Sequence, residues 1–385
     1  MKLKIAILGT RGVPNNYGGF EHIAGYLSRG LVENGHQVTV YNSSKHPYQQ
    51  KEWQGVEIVH CFDPEHLIGV PGQFIYDLNC IMHARKRKYD IILMLGYTSS
   101  SIWKALYPEN SIIITNMDGL EWQRTKYSKP VRRFLKYAEK LAVQSSRFHI
   151  ADSPVIKKYL DANYHIDSKY IAYGAELDAV VHEELLAEYG LNKYQYFLLM
   201  ARMEPENNVE MILDGYCLTP STIKFIVIGN TGNGFGRHLI EKYKNESRIV
   251  FLGALFDEQK VQSLTAFCSL YFHGHSVGGT NPSLLDAMAM KAPLAAHNNP
   301  FNASILKKNA LFFNNTSDVC KLINSNQYKN ELYIENNYAT AKNEFSWDMI
   351  IDQYEKYFTE CFLQCHPAMQ PHYRLKHGKS ILYKG

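Results

Sequence analysis

The sequence predicts an α/β chain of two doubly wound parallel-sheet domains, one after the other, facing a central cleft. Three observations carry that prediction. At 385 residues the chain exceeds what one ordinary core organises, so two domains are expected. It opens on an apolar run at 3–8 (LKIAIL), a glycine-bearing loop (GTRGVPNNYGGFE), a helical stripe and then QVTVY at 37–41. This is a strand–helix–strand unit with its loop at the carboxyl end of the first strand, the place where open parallel sheets bind ligands. The same pattern then restarts at YFLLM, 196–200.

Each element follows from spacing. Phe20, Ile23, Ala24, Leu27 and Leu31 mark a helix that stops at Asn34-Gly35, where glycine suits a left-handed cap. Strands are expected at 56–60, 90–95, 111–115 and 147–151, with helices between them. In the second half, YFLLM leads through ARMEPENN into a helix from Val209 to about Tyr216. KFIVI at 224–228 ends in GNTGNGFG, with a helix from near Arg237, and further strands fall at 248–252 and 269–272. The segment FSWDMIIDQYEKYFTECFL is an amphipathic helix with Trp347, Ile350, Ile351, Tyr354 and Phe358 on one side. The expected division is a Rossmann-like domain at 1–175 and a second at 176–345. A helix at 346–364 then turns back toward the first domain, and a basic tail follows at 365–385.

Composition narrows the function classes. With 45% hydrophobic and 20% charged residues the chain is globular. No apolar run approaches the roughly 18 residues that a membrane span needs. The start, MKLKIAILGTRG, is apolar only from Ile5 to Leu8, which reads as a buried strand rather than a signal peptide. Seven cysteines without CxxC spacing point to reduced thiols, a cytoplasmic location and no zinc site. A net charge of +4 demands no nucleic-acid partner. Its distribution is more informative. Arg124, Lys126, Lys129, Arg132, Arg133, Lys136, Lys140 and Arg147 face one acid, Glu139, while Val131, Phe134, Leu135, Ala138 and Leu141 repeat at helical spacing. This is either the solvated face of a packed helix or a surface that rests on anionic lipid. The tail adds Arg374, Lys376, Lys379 and Lys384.

The most informative stretch is HGHSVGGTNPSLLDAMAMKAPL, 273–294. A strand-like run leads into a polar glycine loop that ends at Asn281-Pro282 and opens a helix at Ser283. Free backbone N–H groups from Gly279 and Thr280 to Ser283 form an anion site suited to a diphosphate, and Asp286 in the first turn is placed to accept from sugar hydroxyls. An ordinary βα turn would carry the same punctuation. Arg202, directly after YFLLM, is either a clamp on phosphate oxygens or a surface arginine. Gly229, Gly232, Gly234 and Gly236 permit close backbone approach. In the first half, NMDGLEWQRTK gathers Asp118, Glu121 and Arg124 at a strand end, a pattern shared with a helix start capped by Asp118. Gly12, Tyr17, Gly18 and Gly19 form the facing loop.

GTRGVPNNYGGFE, NMDGLEWQR, ARMEPENN and HSVGGTNPSLLDAM, in that order, resemble the retaining family-four glycosyltransferases of GT-B fold over residues 1–364. More narrowly, they are similar to the bacterial polysaccharide-assembly subgroup that includes β-1,4-rhamnosyltransferases. The resemblance implies a metal-independent, cofactor-free enzyme moving a sugar from a dTDP- or UDP-sugar, with rhamnose from dTDP-rhamnose the first expectation. The acceptor it implies is a lipid-diphosphate-linked saccharide, for capsule or other cell-surface polysaccharide, on the anionic inner face of the membrane. It implies Asp118, Arg202 and Asn281 in catalysis, and a donor site of Arg202, Asn207, Gly229, Gly279, Thr280, Asn281, Pro282, Ser283 and Asp286. Gly12, Tyr17, Gly18, Gly19, Glu121, Arg124 and His275 fall on the acceptor or sugar side.

The pattern transfers with gaps. Gly278 stands where the family carries its first glutamate, Asp286 where it carries the second, Asn207 where a lysine accompanies the arginine, and Lys291 where glycine is usual. Met117 stands where many relatives have a histidine that touches the sugar's sixth-carbon hydroxyl, which would suit a 6-deoxy sugar. Three other readings stay open: a nucleotide-sugar epimerase of the same architecture, a degenerate relative that binds without transfer, and a dinucleotide oxidoreductase. The last is disfavoured because the first loop is not GxGxxG and QVTVYNSS lacks an acid at its end.

Overall fold

The computed structural model describes residues 1–16 and 18–369. Tyr17 and the basic residues of the tail, Arg374, Lys376, Lys379 and Lys384, lie outside the described residues.

Eight strands form the first sheet: β1 (Lys4–Leu8), β2 (Gln37–Ser43), β3 (Glu52–Trp53), β4 (Val56–Cys61), β5 (Ile91–Leu95), β6 (Ile112–Asn116), β7 (Phe148–Ala151) and β8 (Lys169–Tyr170). Their spatial order is β3-β4-β2-β1-β5-β6-β7-β8, all parallel except the β3–β4 pair. Six strands form the second: β9 (Tyr196–Met200), β10 (Lys224–Ile228), β11 (Ile249–Gly253), β12 (Leu270–His273), β13 (Leu294–His297) and β14 (Leu311–Phe313), in the order β11-β10-β9-β12-β13-β14. Helices cover both faces, so the central strands read as unbroken apolar runs. Every residue of β5 (IILML) is buried.

The strong apolar runs fold as the spacing predicts. The strands it misses, β3, β8, β13 and β14, are two to four residues long, too short to display a period. The helix expected near Arg237 begins earlier, at Gly234. The Asn233 side chain accepts from Gly236 N–H at 2.6 Å and fixes the start despite the glycines.

The helix Trp347–Cys365 lies on the first sheet's domain. Trp347 stacks on Tyr26 with centroids 4.4 Å apart, and Ile351 fills the surface over Gly30, where a side chain would collide with it. Glu355 accepts from Asn34 at 2.6 Å, and Tyr357 donates to the His149 carbonyl at 3.3 Å. A short parallel bridge between Ala175 and Ser346 ties the start of this helix to the connector between the sheets. The core is continuous across the molecule: Tyr173, Leu284, Trp347 and Tyr354 belong to one buried cluster. All seven cysteines are free, and no helix among the described residues is long and apolar enough to cross a membrane.

Candidate active site

The carboxyl ends of β1, β6 and β7 in the first sheet, and of β9, β10 and β12 in the second, bring their loops together. On the second side the loops are knitted to one another. The Asn208 amide donates to the Gly274 carbonyl at 2.8 Å, and Ser276 donates to the Glu206 carbonyl through both its N–H, at 3.0 Å, and its hydroxyl, at 2.7 Å. This bonding places the Arg202 loop beside the loop 275–281. The Arg202 guanidinium is exposed, with no hydrogen bond or ion pair among the described residues. Its charge reaches Asp118 and His275.

Asn281 caps the helix Pro282–Ala289. Its Oδ1 accepts from Ser283 N–H at 3.0 Å and from the Ser283 hydroxyl at 2.7 Å. Gly229, with φ of +157°, closes so tightly on the Ala201 carbonyl that any side chain there would overlap it. Two buried histidines support this floor. His273 and His275 stack with centroids 4.5 Å apart. Burial drives His273 down to about 3, and burial, His273 and the nearby Arg202 and Arg124 charges drive His275 far below the usual range, so both rings are neutral.

Five of the residues singled out are placed differently from the expectation. Asn207 is buried, and its amide donates to the Arg202 carbonyl at 2.8 Å, so it braces the loop instead of replacing a phosphate-binding lysine. Gly12 is buried under the Asn42 side chain, whose Oδ1 takes Val13 N–H at 3.0 Å; its φ of +130° serves that packing and not an acceptor. Arg124 is buried between Glu121, at 2.7 Å, and Glu206 of the opposite domain, at 3.4 Å. With Lys126–Glu204 at 3.1 Å it forms an interdomain clasp. Asp286 sits a full turn into its helix, beyond the first turn, and turns toward Glu258 and Glu176. Burial, reinforced by those two charges, pushes its carboxyl up to about 8. Met117 likewise points inward, among Tyr97, Ala138, Ala142, Ile156 and Leu160, and does not line the cleft.

Of the remaining predicted residues, Asp118, His275, Gly279, Thr280, Pro282 and Gly19 do converge. A side chain at Gly19 would come within 3.8 Å of Pro282 and 3.9 Å of Tyr173, so the two glycine loops meet there. Gly18 lies beside the Glu21 carboxylate. Sequence reasoning missed Asp152, at the end of β7. It is 1% exposed, and the Thr280 hydroxyl donates to its carbonyl across the domain seam. The signal was available, since RFHIADSP places a carboxylate at a strand's carboxyl end just as NMDG does. Burial pushes Asp118 up, and Glu121 adds to this. A hydrogen bond to Asp152 and the charges of Arg124 and Arg202 pull it partly back. Burial and Asp118 push Asp152 well above the carboxylate range. Among the described residues no group of three or more His, Cys, Asp or Glu side chains is arranged to hold a metal ion.

Two parallel-sheet Rossmann-like domains with their loops meeting in one cleft define the GT-B architecture, and solved structures bear this out. The fold superposes on sucrose-phosphate synthase from Thermosynechococcus elongatus with a TM-score of 0.76, at 14% identity over 94% of this chain and 100% of that one. It superposes on Anabaena HepE in complex with UDP and glucose with a TM-score of 0.73, at 15% identity over 93% of this chain and 100% of that one. A glycosyltransferase from Rickettsia africae gives 0.68, at 16% identity over 94% and 98% of the two chains. At these identities the shared property is the fold. Residues 181–326 match the family described as glycosyl transferases group 1, and residues 2–176 match a domain of unknown function (DUF1972). No curated protein matches the chain.

Proposed function

We propose that the chain is a retaining, metal-independent glycosyltransferase that takes a sugar from a nucleoside diphosphate donor and passes it to a lipid-diphosphate-linked saccharide. One observation carries the reading. The unpaired Arg202 guanidinium and the N-terminus of the helix Pro282–Ala289 belong to two loops bonded to each other, beside the neutral His275. A diphosphate leaving group gathers negative charge as its bond to the sugar breaks, and a fixed guanidinium with a helix dipole stabilises that charge without a divalent ion. The structurally similar Anabaena HepE is named in complex with UDP and with UDP-glucose, which supports a nucleotide-sugar donor. The proposed boundary between the acceptor-side and donor-side domains is 175/176, with the helix 346–364 serving the first.

The lipid-linked acceptor is supported by the surface around the helix Lys129–Ser145. Glu139, its one acid, is buried beneath Lys136, Trp122, Tyr159 and Tyr164. The outward face therefore shows Lys129, Arg133 and Lys140 beside exposed Val131, Phe134 and Tyr137. Phe74 approaches Phe134 with centroids 5.8 Å apart and extends this face toward exposed Leu67, Ile68 and Val70. Apolar side chains ringed by cations suit the inner, anionic leaflet.

Rhamnose remains the first donor to test. It rests on motif resemblance alone, since Met117 is turned into the core. Turnover of dTDP-rhamnose, UDP-glucose and GDP-mannose with a lipid-diphosphate-linked saccharide should favour dTDP-rhamnose, and exclusive use of a 6-hydroxy donor sinks the rhamnosyl reading. Sedimentation with phosphatidylglycerol vesicles but not phosphatidylcholine vesicles, reversed by high salt, is the expected outcome for the membrane face.

A further inference from the structure

His275 lies just past the end of β12 and is anchored through its backbone. Its carbonyl accepts from the side-chain amides of Asn299, at 2.9 Å, and Asn302, at 3.0 Å. The next residue, Ser276, is bonded twice to the Glu206 carbonyl, and the His275 ring stacks on His273. Its Nδ1 is sealed inside the protein without a hydrogen-bond partner. Nε2 has no hydrogen bond among the described residues either, but it is not sealed, and His275 keeps part of its surface open where His273 keeps almost none. The charges of Arg202, exposed in the neighbouring loop, and of buried Arg124 both reach this ring.

A neutral imidazole has one N–H and one lone pair, so the nitrogen that holds the proton decides what the open edge can bind. A proton on Nδ1 would bury an N–H with nothing to receive it, the costlier orphan. On Nε2 it leaves only a lone pair inside and turns the donor outward. Burial, His273 and the two guanidinium charges keep a second proton off the ring. The open edge is therefore an uncharged donor in want of an acceptor. Phosphate oxygens accept and never donate, and Arg202 draws them to the same place. We infer that His275 donates its Nε2–H to a phosphate oxygen of the donor's diphosphate, as the uncharged partner of Arg202. This rests on the donor-site reading above. Such a bond strengthens as negative charge gathers on that oxygen, and the ring gives up no proton to the leaving group.

Calorimetry on the full chain with UDP, dTDP and GDP identifies the diphosphate that binds most tightly. His275→Phe keeps a ring to stack on His273 but removes the donor, so affinity for that diphosphate should fall about tenfold. His275→Gln, whose amide nitrogen reaches the place of Nε2, should stay within about threefold of the wild type. Ring-nitrogen NMR of the wild type, with His275 assigned by its loss in the Gln variant, serves if His275→Phe does not fold. The ring should carry its proton on Nε2 alone from about pH 8 to about pH 5.5, and Nε2 should shift when the diphosphate binds. The inference is overturned if His275→Phe binds the diphosphate as the wild type does, if the Gln variant loses as much as the Phe variant, or if the proton lies on Nδ1. In those cases the wild type still binds a diphosphate and the donor-site reading stands. A wild-type chain that binds none of the three overturns that reading itself.

Discussion

The two glycine loops occupy equivalent places, each at the carboxyl end of a parallel strand and ahead of a helix, yet their polar groups are treated oppositely. In the first loop the protein answers its own donors. Glu21, 3% exposed and in the first turn of the helix Gly19–Glu33, accepts from the Thr10 hydroxyl at 3.0 Å and from Arg11 N–H at 2.6 Å. Asn42 fills the space above Gly12, and Tyr76 donates to the Thr10 carbonyl at 2.9 Å. An internal carboxylate thus lies where a bound phosphate would sit, which disposes of a dinucleotide site at this position. Around the second loop the reverse holds. Among the described residues, both nitrogens of His273, Nδ1 of His275 and Oε2 of Glu206 are buried there without hydrogen-bond partners, against Asn16 Oδ1 at the first loop. One loop is closed largely by its own side chains, and on the proposed reading the other is completed by a ligand.

That contrast predicts opposite responses to truncation. Arg202→Ala removes a group with no hydrogen bond or ion pair among the described residues, so thermal unfolding should barely move. Turnover should fall about a hundredfold to a thousandfold, on the order of 2–4 kcal/mol of transition-state stabilisation. A variant that loses stability but keeps its turnover would make Arg202 structural and erase the distinction. Glu21→Ala is the converse test. Stripping the acceptor from Thr10 and Arg11 should cost about 2–3 kcal/mol in urea unfolding while affinity for UDP or dTDP stays within about twofold. A large loss of nucleotide affinity would mean the first loop shares the donor site.

The same contrast explains how much was legible in the sequence. Apolar runs such as IILML and YFLLM, and the turn signals after them, specify a parallel sheet directly, because burial on both faces leaves little else those residues can form. The Asn281-Pro282 helix start was legible for the same local reason. What could not be read was partnership across the cleft. Arg124 looks like a ligand-binding arginine until Glu206, 82 positions away, is found beside it, and Asn207 looks like a failed lysine until its amide is seen holding the Arg202 carbonyl. Asp152 carried no pattern beyond its place at a strand end. Its carboxyl packs on Gly279, contributed by the other domain, a contact that no local pattern announces.

Asp286 provides the finest discrimination, because it lies on the helix that follows the second loop and feels the charges of Glu258 and Glu176. Its carboxyl is raised from 3.8 to about 8, so the folded state holds a proton that the unfolded chain has already released. The sign follows from linkage: its contribution to stability is fully present below about pH 4 and is lost as pH rises toward about 8. Asp286→Asn removes that titration. The two proteins should unfold alike near pH 3, and the variant should be the more stable by about 1–2 kcal/mol near pH 9, a discounted figure for a partly buried group. If the ribose hydroxyls of a nucleoside diphosphate donate to this carboxylate they favour its charged form, so UDP should flatten the wild-type profile and leave the variant unchanged. A wild-type pH profile that UDP does not alter would assign Asp286 to the packing of the connector against its helix, leaving Arg202 and the loop 278–283 as the donor side.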